Sequence, residues 1–357
     1  MEKFDQLLGP LNPNKIAAGT APDPIKVIVF TATGDQGRSV CKDLIGDGGF
    51  MVWGVTRNTD GKGAKELTQL GVKMVQGDLG DVQSYKQHLL GMDGAFINSD
   101  YNSIVPTVNG DTKAATKAEY EQVKALVDAC KEAGVGHIVY SALDGYKEED
   151  RKVPYFQSKA EVAKYIKSTY SGHASHPPNT PHGIHHHLHH TNIYACTYFS
   201  NIYKFNYLTK DDQGDKWVLG WPLPDDTPIP SYAVEQTGVW VKKAFLDHKT
   251  WSGKDIQICS DSITPLQMAE ELSKLSNQNV VTLGLTKEDF YSERHKMEIW
   301  QPLWLNYKSY VEGYFIRDIE ASRKVCSEQW DFKQWAAQDK QLKKIFHSEN
   351  KQEDNKV

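Results

Sequence analysis

The chain contains no apolar run near the roughly 18 residues a membrane-spanning helix needs. Positive charge is not in excess either. Lys and Arg number 41 against 46 Asp and Glu, a formal net charge of -5, which argues against broad electrostatic binding to nucleic acid or an anionic membrane. Cysteine is scarce: Cys41, Cys130, Cys196, Cys259 and Cys326 are five in number, scattered, and form no C-x-x-C. That pattern argues against structural disulfides and a zinc site, so no metal is expected, and it suits a reducing cytoplasm, with the nucleus as a second compartment. The first 24 residues lack the basic start and long apolar stretch of a secretory leader and read as an N-terminal arm.

What is present is an ordinary globular composition, 39% hydrophobic and 24% charged over 357 residues. This is enough for one doubly wound α/β domain and a smaller appended part. The most informative stretch is IKVIVFTATGDQG, Ile25 to Gly37. A short apolar run turns abruptly into small residues and then into a helical pattern carrying Val40, Cys41, Leu44 and Ile45. Strand, tight turn and helix in this order place helix N-terminal amides where they can hold a pyrophosphate. Gly34 and Gly37 have the last G-x-x-G spacing of the dinucleotide fingerprint, whereas Thr31 stands where its first glycine belongs. Arg57 closes a second apolar run, Met51 to Thr56. At that strand end an acid would favour the unphosphorylated cofactor, and an Arg accommodates a 2′-phosphate. The pattern points to NADP(H) rather than NAD(H).

Strands are expected at Ile25–Phe30, Met51–Val55, Val72–Val75, Gly94–Ile97, His137–Ser141 and Ile193–Tyr198. Helices are expected between them at Gly37–Ile45, Ala64–Leu70, Val82–Leu90, Ala118–Ala133 and Pro154–Ser168. This alternation implies right-handed crossovers and a parallel sheet, with ligands at the carboxyl ends of the strands. Those ends are Thr31–Gly37, Arg57, Asp78, Asn98–Tyr101 and Ser141. Beyond Tyr198, short strands are expected at Trp217–Leu219, Pro228–Ser231 and Asp255–Cys259, with a helix at Val239–Leu246. Thr264-Pro-Leu-Gln267 and Thr286 to Asp289 read as helix starts with capping boxes. The expected division is an arm (1–24), a dinucleotide domain (25–200), a smaller α+β subdomain (201–346) and a charged tail (347–357).

The residues quoted so far, with VTRN at Val55–Asn58, GVKMVQGDL at Gly71–Leu79, HIVYSAL at His137–Leu143 and YFSN at Tyr198–Asn201, resemble the NmrA-like family. The WSGKDIQICSDSITPLQMAEELSK stretch resembles that family's C-terminal subdomain. The family is an atypical branch of the short-chain dehydrogenase/reductases, and the resemblance spans about residues 25 to 346. It implies a Rossmann domain binding NAD(P), in proteins that are redox sensors or transcriptional co-regulators and in some that are enzymes. Two features depart from the pattern: Thr31, and a His-rich stretch, His173–His190, where the family has a short turn.

On this reading the cofactor is held by Thr31, Thr33, Gly34, Asp35, Gln36 and Gly37 at the first turn. Arg57 and Lys62 serve the phosphates, Asp78 and Leu79 follow the third strand, and Asn98 and Lys159 complete the set. Arg38 and Lys65 are further basic candidates, though exposed lysines are explained equally well without a ligand. Ser141, Tyr155 and Lys159 match the reductase pattern, with Tyr155-x-x-x-Lys159 sharing one helix face. In that pattern the ammonium lowers the phenol's pKa, and the phenol protonates a carbonyl oxygen as hydride arrives. The alternative keeps Lys159 as a cofactor ligand and Tyr155 as a packing residue. The His-rich stretch reads as a surface insertion broken by Pro177, Pro178 and Pro181. The aromatics Trp300, Trp304, Tyr307, Tyr310, Tyr314 and Phe315 read as core before pocket. Two functions follow: an NADP(H)-binding regulator acting through a protein partner, as monomer or homodimer, or an NADPH-dependent reductase of a small carbonyl or quinone.

Overall fold

A computed structural model describes residues 23–170, 172–174 and 186–347. The expected arm, most of the Pro-containing part of the His-rich stretch and the charged tail lie outside the described residues. The chain divides into two compact units. The first holds the residues up to Ala195 together with Glu235–Gln257; the second holds Cys196–Val234 and the residues from Ile258 onward.

The first unit is built on β1 (Ile25–Val29), α1 (Asp35–Asp47), β2 (Phe50–Thr56), α2 (Lys62–Gln69), β3 (Lys73–Gln76) and β4 (Gly94–Ile97). It continues with α3 (Tyr101–Ile104), α4 (Thr112–Ala133), β5 (His137–Ala142), α5 (Pro154–Thr169), β6 (Gly172–Ala174) and β7 (His186–Tyr194). Seven parallel strands lie side by side in the order β12-β7-β5-β4-β1-β2-β3, where β12 is Lys254–Gln257, and β6 adds antiparallel to β7. The α/β parallel sheet expected from the alternation is therefore present. The order reverses between β1 and β4, so the crevice at their carboxyl ends is the topological switch point.

Strand ends and helix ends follow from local chemistry. Gly48, at φ 80, stops α1, and Asp111 starts α4 by accepting from the amides of Lys113 and Ala114. One face of the sheet buries Ile28, Phe30, Ile97 and Tyr140 against Val123, Leu126 and Val127 of α4 and Val162 and Ile166 of α5. The other face carries α7 (Thr237–Leu246), whose Phe245 ring sits where a Cβ on Gly94 would be.

Two expectations need correction. Val82–Leu90 is not one helix but two short 3-10 turns, Val82–Ser84 and Lys86–Leu89. The sixth strand begins earlier than expected, at His186, and ends at Tyr194. The described end of the His-rich stretch is thus part of the central sheet rather than a surface insertion. Its imidazoles are tolerated there because they find partners: His189 Nδ1 lies 2.8 Å from Ser252 Oγ and His190 Nδ1 3.0 Å from the Tyr170 carbonyl.

The second unit contains β8 (Thr197–Tyr198), α6 (Asn201–Lys204), β9 (Leu208–Lys210), β10 (Trp217–Leu219), β11 (Ile229–Tyr232), β13 (Asp261–Ile263), α9 (Pro265–Ser276) and β14 (Val280–Thr282). Its strands form two three-stranded sheets, β14-β10-β9 and β13-β11-β8. Both capping boxes form, Thr264 with Gln267 and Thr286 with Asp289. Of the late aromatics, Tyr307, Tyr310 and Phe315 are buried, Trp304 stacks on Phe290, and Trp300 is exposed.

Candidate functional site

The turn after β1 is pinned on both sides. The Phe30 amide donates to the Phe96 carbonyl at 3.0 Å and the Ala32 amide to the Val55 carbonyl at 3.0 Å, tying the turn to β4 and β2. Thr31 between them adopts φ 49, a left-handed conformation that costs a β-branched residue about 1–2 kcal/mol. It takes the backbone shape a glycine would have supplied. Its carbonyl accepts the Gly34 amide at 2.9 Å, and its hydroxyl points to the Asn98 carbonyl at 3.5 Å. Thr31 and Asn98 are therefore brought together at the switch point.

Gly34 is the N-cap of α1, and no side chain caps that helix start. Gly37 sits in its first turn with no room for a side chain: a Cβ there would lie 2.3 Å from the Thr31 carbonyl oxygen. This close approach brings the helix start against the turn. A helix N-terminus with no capping side chain suits an anion, and the backbone at 31–37 is shaped to admit one.

The end of β2 supplies the basic side. Thr33 and Thr56 join hydroxyls at 3.2 Å, and Arg57, next in the chain, is exposed with no hydrogen-bond or ion-pair partner among the described residues. Lys62 opens α2 behind the N-cap Gly61, which offers no side-chain cap, and Lys65 is exposed on the same helix. Arg38 is committed elsewhere, paired with Glu66 at 3.3 Å and covering Gly63. Asp78 spends its carboxylate on its own loop, accepting the Gly80 amide at 2.8 Å, with Leu79 half-buried beside it.

The Ser141, Tyr155 and Lys159 positions do not form a hydrogen-bonded trio. Lys159 uses its three ammonium donors on the Ser99 hydroxyl at 2.7 Å, the Ser99 carbonyl at 3.1 Å and Glu119 Oε1 at 3.1 Å. Glu119 also accepts from Ser99 Oγ at 2.7 Å and from the Ser158 hydroxyl, and it is wholly buried. The ammonium is thus neutralised by a carboxylate rather than directed at a phenol. Tyr155 packs its ring against Tyr101, with centroids 5.7 Å apart, in a small apolar cluster with Ile104 and Ala115. Ser141 is buried in β5, with no hydrogen bond to either. Tyr140, also buried, has its phenol pushed well up by desolvation and then by the Glu119 charge.

Glu119 was missed in the sequence. The signal was there: it stands four residues from both Ala115 and Val123 on the buried stripe of α4, an acid in an apolar row. Among the described residues, no group of three or more His, Cys, Asp or Glu is placed to hold a metal ion. No helix among them is long and apolar enough to cross a membrane.

The fold matches solved NmrA structures. NmrA, a negative transcriptional regulator crystallised with NADP, superposes with a TM-score of 0.65 over 94% of this chain and 98% of that one, at 20% identity. The NADPH-dependent quinone oxidoreductase of Escherichia coli, solved with NADPH, gives a TM-score of 0.62 at 17% identity, over 90% of this chain and all of that one. At such identities the likeness is one of fold. Among sequences, an NmrA-like family domain-containing oxidoreductase of Aspergillus campestris is 27% identical over 74% of this chain and 77% of its own length. An NmrA-like family domain-containing protein of Dictyostelium discoideum is 24% identical over 71% and 78%. The model of the NmrA-like family matches residues 24–328, and with the sheet order and the turn at 31–37 in place, the chain belongs to that family.

Proposed function

We propose that this protein binds NADP(H) and acts as a redox-sensing regulator through a protein partner, with transcription as the process regulated. The observation that carries the cofactor is the turn at 31–37. A left-handed Thr31, a Gly37 with no space for a Cβ and an α1 start without a capping side chain make a backbone cradle for linked phosphates. Arg57, without a partner among the described residues, stands where a 2′-phosphate is read. On this reading Lys159 is the ribose ligand, and binding exchanges its 3.1 Å hydrogen bond to the Ser99 carbonyl for one to the ribose. When bound, such a cofactor supplies or accepts a hydride. The residues named here bind and orient it.

The regulatory half draws on the fold shared with NmrA, a negative transcriptional regulator, and on a Lys159 ammonium held by Glu119 and Ser99. A switch then requires that reduced and oxidised cofactor favour different surfaces or assembly states. The second reading, an NADPH-dependent reductase of a small carbonyl or quinone using Ser141, Tyr155 and Lys159, draws on the oxidoreductase names of relatives such as the Aspergillus campestris protein. Calorimetric titration of the purified protein with NADPH, NADP⁺ and NADH tests the shared premise. Binding of NADPH tighter than NADH is expected; indifference to all three removes both readings.

A further inference from the structure

We propose that Cys196 and Cys259 are a dithiol that closes reversibly into a disulfide under peroxide. The two residues are 63 apart in sequence, and the sheet brings them together. β7 and β12 run parallel with Tyr194 paired to Gln257, so Cys196 and Cys259 each follow the last paired residue by two positions. Adjacent strands are about 4.8 Å apart at that last pair and part beyond it, where β11 enters between Thr197 and Asp261. The cysteines stand at this fork, and closure needs their Cα atoms within roughly 4.4–6.8 Å. The side chains agree. Cys196 Sγ donates to the carbonyl of Ile258 at 3.1 Å, the residue just before Cys259.

The surroundings make one sulfur the nucleophile. Cys259 is held by the Ser231 and Asp261 carbonyls at 3.7 and 3.2 Å, and the buried guanidinium of Arg317 adds positive charge nearby. Its thiol is drawn below the ordinary value, first by Cys196 and then, against its burial, by the Ser231 backbone and the Arg317 charge. Cys41 makes the contrast, since burial alone pushes its thiol up to about 12. Cys130 is likewise pushed up. Thiolate character governs both attack and oxidation. Access is on the Cys196 side, which retains 8% exposure while Cys259 has none.

The chemistry balances with a hydroperoxide as oxidant. The Cys259 thiolate attacks one peroxide oxygen, the O–O bond breaks, and Cys259 becomes a sulfenic acid as hydroxide leaves and is protonated. Cys196 then attacks that sulfur, its proton and the sulfenic hydroxyl leave as water, and the S–S bond forms. Two thiols and one hydrogen peroxide give one disulfide and two waters, and a dithiol reductant reverses it.

The test is peptide mapping of the full chain after hydrogen peroxide, alkylated without reduction and read by mass spectrometry. One linked peptide joining Cys196 to Cys259 is expected, with two of the five thiols lost and both recovered by dithiothreitol. A map in which the two stay reduced, reach sulfinic acid unlinked, or pair with other cysteines overturns the proposal. In Cys196→Ser the link cannot form, and dimedone should label Cys259 severalfold faster than Cys41; equal labelling overturns the role given to Cys259. If that variant does not fold, the map of the unmodified chain alone decides.

Discussion

Lys159 Nζ lies 3.1 Å from Glu119 Oε1, and the carboxylate side chain is fully buried while the lysine side chain is 10% exposed. A charge pair this deep owes its tolerance to its hydrogen bonds, with Ser99 and Ser158 satisfying the remaining capacity. The pair also decides what Lys159 can do. Its positive charge is matched within the protein, and its ammonium is held at a fixed place.

Removing one partner strands the other. Glu119→Ala is expected to cost about 3–5 kcal/mol, because an uncompensated ammonium stays buried. Glu119→Gln, which keeps the shape and one of the two acceptor oxygens, should cost less. Urea unfolding of the three proteins measures the difference; a Glu119→Ala protein as stable as the parent would refute the role of the pair.

Arg57→Ala should weaken NADPH by about 1.5–3 kcal/mol, the worth of hydrogen bonds to a charged group, and leave NADH nearly unchanged. Calorimetry on both nucleotides reads this directly. Equal losses would mean that Arg57 does not face the 2′-phosphate.

The turn at 31–37 predicts opposite outcomes for two small changes. Gly37→Ala drives a Cβ to 2.3 Å from the Thr31 carbonyl oxygen, which should cost about 1–3 kcal/mol of stability and abolish NADPH binding. Thr31→Gly releases a left-handed β-branched residue. The relief of about 1–2 kcal/mol is offset in part by the extra freedom glycine gives the unfolded chain. Thermal melts with and without NADPH should show a large loss for the first variant and none for the second.

The oxidoreductase reading is settled by absorbance of NADPH with a carbonyl and quinone panel. The regulator reading expects no turnover above background. Turnover that disappears in Tyr155→Phe while NADPH still binds would replace it.

Acid should destabilise the main sheet around β5 and β7. His137 is fully buried, with Nε2 3.0 Å from the Thr191 hydroxyl, and its ring packs near those of His189 and Phe245. Burial first, and then the neighbouring imidazoles, hold His137 well below the ordinary value of 6.5; burial lowers His190 and His248 as well. Below that value the unfolded chain takes up protons that the folded one resists, so stability is full above about pH 6.5 and falls as the pH drops. Urea midpoints from pH 8 to pH 5 should decline mainly at the acid end, whereas a flat profile would contradict the burial of these rings.

The parallel sheet was legible because each of its first five strands is a short apolar run ending in a turn. Those runs sit between helices whose apolar residues recur every three or four positions. β7 was not, since His186, His187, His189 and His190 give no apolar alternation, and the partners of His189 and His190 are Ser252 and Tyr170, distant in sequence. The tight turn before α1 was legible from Gly34 and Gly37, while the left-handed state of Thr31 is imposed by its anchors to β2 and β4 and not by its own preference. Lys159 was legible as a candidate cofactor ligand from its spacing to Tyr155. Its counter-ion was not, because Glu119 lies 40 residues upstream on another helix.

The return of Glu235–Gln257 to the first unit has a practical side. A fragment cut near residue 195 would lose β12 and bare the hydrogen-bonding edge of β7. It would also strip Phe245 from its seat over Gly94. An open strand of that kind invites pairing with further copies. Anyone wishing to isolate the nucleotide-binding half should therefore splice the later segment back in with a short linker rather than truncate.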